Sequence, residues 1–245
     1  RQGFAVWIPA MRGHGLSKRN QDYARNRVAD YARYDLPAIG AFVREQSAQI
    51  PHWIGHSLGG TALAAALGGQ HLGAPAVASV ALFGCQVSRT HWPLKIPPLE
   101  WTGRLLLKRF GEVSGVRLKR GPEDEPAGVM IEAMRWNGLF GRFGDGKQDW
   151  WKGLADVDVP LLAVSAAGDQ QDPDWACRKL FEQVGSEHRQ YLCLGRKRGF
   201  SGDFGHVEML VSKAAQAEVW PLMAQWLKDP LTPLFAAEPQ VAATV

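Results

Sequence analysis

Apolar residues fall in short runs punctuated by glycine and proline, and these runs alternate with segments of helical periodicity. Phe4 to Pro9 reads FAVWIP, a continuous apolar run closed by proline and by the Gly13-His14-Gly15 turn, and predicts a buried parallel strand. The period then changes. Leu36, Ile39, Phe42 and Val43 share one face at helical spacing, with Asp35 placed to cap and Pro37 in the first turn, so a helix from Asp35 to about Gln46 should cover a sheet. Trp53-Ile54 runs into Gly55-His56-Ser57-Leu58-Gly59-Gly60 and then an alanine- and leucine-rich stretch ending at Gly68-Gly69, which reads as strand, sharp turn and helix. Val77 to Phe83 and Pro160 to Ser165 are apolar enough for strands covered on both faces, and Tyr191 to Leu194 is a weaker fourth. Helical patterns from Pro173 to Val184 and from Val207 to Trp226 complete an alternation expected of an open, doubly wound, mostly parallel α/β sheet.

The stretch from Ser88 to Asp158 breaks that alternation, holds five of the ten tryptophans and is rich in glycine and proline. It predicts an inserted cap over residues 88–158, dividing a core made of residues 1–87 and 159–228. Residues 229–245 carry three prolines and little periodicity, and predict a loose tail. Between Arg104 and Arg120 six basic residues stand against one acid, Glu112, interleaved with Leu105, Leu106, Leu107 and Phe110. The preferred reading is a lid helix whose apolar face covers the active site and whose charges face water; contact with anionic lipid is the alternative.

Composition narrows the function classes. A chain of 245 residues, 46% hydrophobic, suits one sizeable domain with an insertion. The net charge of +4 from 28 basic and 24 acidic residues is a mixed surface, not the one-signed field of a nucleic-acid binder. Cys85, Cys177 and Cys193 are odd in number and far apart, the pattern of neither a disulfide framework nor a zinc site. A reducing, cytoplasmic setting without metal or organic cofactor is therefore the expectation. No run reaches the roughly 18 apolar residues of a membrane span.

The chemistry starts at Gly55-x-Ser57-x-Gly59, a pattern that lets a serine stand on a strained strand-to-helix turn with small neighbours so that backbone can pass close by. The triplet alone is weakly specific, and the apolar strand before it and the small-residue helix after it give it weight. An alcohol needs a base. His206, following a loop rich in glycine and aspartate and opening the last helix, is the candidate, with His56 and His14 read as structural neighbours of their turns. The base needs an acid to fix its tautomer. Asp169 lies just beyond the Pro160 to Ser165 strand, where open α/β sheets carry their reactive groups, with Asp172 and Asp203 as rivals; Asp172 could instead cap the helix beginning at Pro173.

Ser57, Asp169 and His206 run in the chain order of the α/β-hydrolase superfamily, which the chain resembles along nearly its whole length. Arg12-Gly13-His14-Gly15-Leu16-Ser17 is similar to that family's loop after the fourth strand, Gly55 to Gly60 to its elbow, Pro160 through Asp169 to Pro173 to its acid turn, and Gly205-His206 completes the set. The resemblance implies a serine esterase or lipase-like hydrolase acting on a small acyl ester through an acyl-enzyme. Thioesterase, amidase or acyltransferase chemistry on the same residues, or a non-catalytic binding module on the same fold, remain alternatives. It also implies an oxyanion hole made by the Leu58 N–H and a second donor from the loop after the third strand. Only about 40 residues separate Gly13-His14-Gly15 from Ser57, too few for two strand-helix units, so the first three strands and one helix are expected upstream of Arg1. A gap is then expected between residues 4–8 and 51–55.

Overall fold

A computed structural model describes residues 2–88, 92–117 and 123–234. The first helical stretch starts at α1 (Val28–Asp30), passes through a wider π turn at Tyr31–Asp35 and continues as α2 (Leu36–Ser47). Then follow β1 (His52–His56), α3 (Leu58–Gly68) and β2 (Ser79–Phe83). Between β2 and the next sheet strand come α4 (Pro97–Phe110), the two-residue strands β3 (Glu112–Val113) and β4 (Glu125–Pro126), α5 (Ala127–Asn137) and the short α6 (Trp150–Gly153). The chain returns with β5 (Leu161–Ala166), α7 (Asp174–Gln183), β6 (Arg189–Leu194), α8 (Glu208–Val211) and α9 (Lys213–Lys228).

β1, β2, β5 and β6 form one parallel sheet in that order, while β3 and β4 pair antiparallel on their own. Alternating residues of the central strands feed two apolar cores. Val80, Leu82, Leu161 and Ala163 join α1, α3 and Leu180 of α7 on one face, and Ala81, Phe83, Leu162 and Val164 join Met209 and Val219, Met223 and Trp226 of α9 on the other. Burial on both faces is why β2 and β5 are uninterrupted apolar runs.

The structure corrects several expectations. Phe4 to Pro9 forms no strand: the segment is exposed, touching the body through edge-on ring contacts of Phe4 with His52 and Trp7 with Phe42. No ladder joins residues 4–8 to β1, and an isolated run has nothing to satisfy its backbone donors and acceptors except water. Asp35 caps nothing, because the helix already runs from Val28 and Asp35 lies inside it; its carboxylate instead receives the Arg12 backbone N–H at 3.0 Å and the Arg12 Nε at 2.8 Å. On α2 the buried side is Leu36, Gly40 and Val43, and Phe42 faces outward. The last helical segment is two helices, broken where Ser212 turns extended and caps α9 by accepting from the Ala215 N–H. Lys119 and Arg120 of the basic run, and residues 235–245 of the tail, lie outside the described residues.

Candidate active site

Ser57 sits between β1 and α3 with φ 51° and ψ −119°, in the left-handed half of backbone space that residues with a side chain rarely occupy. Close packing holds the turn. A Cβ on Gly55 would lie 2.8 Å from the Cα and N of Gly60, and one on Gly60 would lie 2.9 Å from Cys85 Cβ, so glycine at both positions lets β1, α3 and the chain after β2 approach one another. The Ser57 N–H donates to Phe83 O at 2.9 Å, continuing the β1–β2 ladder into the turn. Leu58 is the first residue of α3, so its N–H has no acceptor within the helix and points out at the positive end of the helix dipole.

Three residues beyond β5, Asp169 is buried. Its Oδ1 accepts the backbone N–H groups of Gln171 at 2.8 Å and Asp172 at 2.9 Å, and its Oδ2 accepts from His206 Nδ1 at 2.7 Å. Burial pushes the carboxyl toward its neutral form, but the His206 bond and the two backbone donors outweigh this and hold the pKa below the usual aspartate value. The group is therefore an anion at neutral pH and can only accept, which places the proton of the His206 ring on Nδ1 and leaves Nε2 with a lone pair. The Gly168 N–H donates to Phe204 O at 3.0 Å, tying the acid turn to the loop that carries His206.

His206 rests over the end of β2, where a Cβ on Gly84 would come within 3.2 Å of its Cε1 and Nδ1. His56 lies on its other side: the ring centroids are 4.5 Å apart, and His56 Nε2 donates to the His206 backbone carbonyl at 2.9 Å. Burial, with the neighbouring His206, depresses the His56 pKa, so this ring is neutral near pH 7. Because His56 and Ser57 are adjacent, the bond also brings the His206 loop to the elbow.

The rivals are placed elsewhere in this network. Asp172 Oδ2 is 3.8 Å from His206 Nδ1, beyond hydrogen-bond range, and its Oδ1 accepts from Gln86 Nε2 at 3.0 Å. It does not cap α7, whose N-cap is Pro173. Asp203 accepts the Arg196 N–H at 2.9 Å within its own loop. His14 is engaged by Glu123 at 3.2 Å and the Tyr31 hydroxyl at 3.1 Å. Sequence reasoning missed Gln86 and the bridging role of His56; the adjacency of His56 to Ser57 was a signal for the second, and nothing in the sequence pointed to the first. Among the described residues no group of three or more His, Cys, Asp or Glu is arranged to hold a metal ion, and no helix is long and apolar enough to cross a membrane.

A model of the alpha/beta hydrolase family matches residues 1–242. The chain belongs to that family. Solved structures with the same fold include a monoacylglycerol lipase from Paleococcus ferrophilus (15% identity, 87% of this chain and 78% of that one, TM-score 0.55). They also include a thermophilic esterase from Thermogutta terrifontis (14% identity, 90% and 78%, TM-score 0.57) and a thioesterase domain from the curacin biosynthetic pathway (13% identity, 86% and 78%, TM-score 0.54). At such identities the likeness is one of fold. The chain matches no curated protein by sequence.

Proposed function

We propose that this alpha/beta hydrolase is a serine esterase that cleaves a carboxylic ester through an acyl-enzyme. The observation that carries the reading is the 2.7 Å bond from His206 Nδ1 to buried Asp169, which fixes the tautomer a general base requires on a loop tied to the Ser57 turn. In this mechanism Ser57 Oγ attacks the ester carbonyl carbon as His206 Nε2 takes its proton. The Leu58 N–H donates to the oxyanion. The intermediate collapses by breaking the bond to the alkoxy oxygen, which leaves as an alcohol with the proton from Nε2. Water, deprotonated by the same nitrogen, then attacks the acyl-enzyme and releases the acid and free Ser57. Asp169 remains an anion throughout and stabilises the transient imidazolium.

In the same reading residues 88–158 are a cap over the site, though one sharing the main core: Val129, Trp136, Phe143 and Trp150 pack with α3. The substrate is a small acyl ester. A fluorophosphonate probe tests the proposal, because it reacts with an activated serine whatever the natural ester. Labelling that is lost in Ser57→Ala, together with turnover of short p-nitrophenyl esters, is the expected result; an unlabelled, folded protein would support a binding module on this fold.

A further inference from the structure

The α4 helix turns most of its large apolar residues away from the protein, with Leu107 half-buried. Its inner side is Glu100, which is buried and bonded to Arg104 at 2.8 Å, and Gly103, against which Met134 of α5 packs so tightly that a Cβ would lie 2.6 Å from the Met134 Cε. The outer side carries Leu99, Trp101, Leu105, Leu106 and Phe110 at 48, 58, 69, 60 and 71% exposure. This overturns the expectation of a lid helix with its apolar face turned inward. Lys108 and Arg109 share the exposed arc, and neither forms an ion pair among the described residues. The nearby acids are neutralised where they stand: Glu100 by Arg104, and Glu112 by Arg19 at 2.8 Å.

We propose that this outer face of α4 is an interfacial surface that adsorbs to anionic lipid. Scattered exposed leucines need no explanation, but five large apolar side chains on one 14-residue helix, two of them beside uncompensated cations, form a patch that water solvates poorly. A lipid surface matches both properties at once. Leucine and phenylalanine enter the acyl boundary, tryptophan lies at the headgroup level, and the lysine and arginine stems extend to anionic headgroups. A second copy of the chain matches only one, since like faces would bring Lys108 and Arg109 of both copies together with no carboxylate on the face to pair them. The face is made of α4 residues and includes none of Ser57, Asp169 and His206, so the inference stands independently of the proposed hydrolysis.

Sedimentation of the intact chain with phosphatidylcholine vesicles, with or without about a third phosphatidylglycerol, tests it. Anionic vesicles should retain the protein, less so as salt rises. Lys108→Ala/Arg109→Ala should weaken binding about twenty-fivefold at low salt, taking about fivefold per cation. Leu105→Ser/Leu106→Ser should abolish retention with an unchanged melting temperature, both positions being exposed. Ser57→Ala should bind like the parent chain, so loss of turnover and loss of adsorption are distinguishable. Retention on neither vesicle, equal retention on both, or micromolar self-association without vesicle binding would overturn the proposal, the last in favour of a second copy as the occupant.

Discussion

His56 donates through Nε2 to the backbone carbonyl of His206 across 2.9 Å, so the residue beside the candidate nucleophile also holds the loop of the candidate base. Removing that donor in His56→Leu leaves a half-buried carbonyl without its partner and frees the loop. A fall in kcat of about tenfold with KM nearly unchanged is expected on a short ester, because the candidate base loses its orientation. An unchanged kcat would show that the loop is fixed without this bond.

The same histidine makes stability pH-dependent. Its folded-state pKa is depressed by burial, so the unfolded chain binds more protons below the ordinary value near 6.5; the contribution is complete above that value and lost as pH falls through it. His52 and His71 are shifted the same way by burial. The three histidines draw the melting temperature down between pH 7 and pH 5, against Glu132, which acts in the opposite direction, and His56→Gln should remove at most about 1.4 kcal/mol per pH unit of their slope. An identical slope in that variant would remove His56 from the account.

Asp169 and Asp172 both face His206, yet only Asp169 is bonded to it. Asp169→Asn should lower kcat/KM by about a thousandfold or more by abolishing the tautomer constraint, whereas Asp172→Asn should cost less than about tenfold. Ser57→Ala and His206→Ala should each bring turnover to background, and the double variant should lose little more, as expected if the three residues act as a unit. If Asp172→Asn proves the crippling change, the acid is assigned to the wrong residue.

Glu132 is a buried carboxylate of α5 whose Oε2 accepts the Ala29 N–H at 3.1 Å, at the start of the long helix that begins at Val28. Burial pushes its pKa up to about 7, against the pull of that N–H and of Arg27 and Arg135. Raised in the folded state, it contributes stability present below the unfolded value near 4.5 and lost as pH rises through about 7. Glu132→Gln keeps an acceptor for Ala29 and removes the charge. It should therefore melt higher than the parent at pH 8, by the equivalent of about 1–3 kcal/mol, with the difference vanishing near pH 5. A lower melting point at pH 8 would mean that the charge itself stabilises the helix start.

Trp150 is fully buried between α3, Trp136 and Phe143, with ring centroids 5.8 and 5.2 Å away. Trp150→Ala should cost about 3–5 kcal/mol in denaturant unfolding. Excising residues 88–158 whole should for the same reason unfold the domain, and a stable cap-less protein would contradict the shared core.

The four strands of the main sheet and the helices after the elbow and the acid turn were legible because each rests on local rules. Continuous apolar runs mark strands buried on both faces, and the glycines around Ser57 mark a tight turn, in which Gly55 and Gly60 leave no room for a Cβ. Phe4 to Pro9 shows the limit of those rules. Its residues satisfy every strand preference, but a strand exists only where a neighbour pairs its backbone, and no local pattern encodes the neighbour.

Sequence by itself supplied the residue types of the candidate site; tertiary structure decided which partner each one has. Asp169 and Asp172 are indistinguishable as carboxylates three positions apart, and only the path of the loop before α8 sets one at 2.7 Å and the other at 3.8 Å from His206 Nδ1. The mix of apolar and basic residues between Arg104 and Arg120 led to the expectation of a helix with an apolar side, while the packing of α4 on α5 through Gly103 turned that side outward. Periodicity fixes the relative angle of side chains around a helix axis, and it leaves the rotation of the helix about that axis to whatever it packs against.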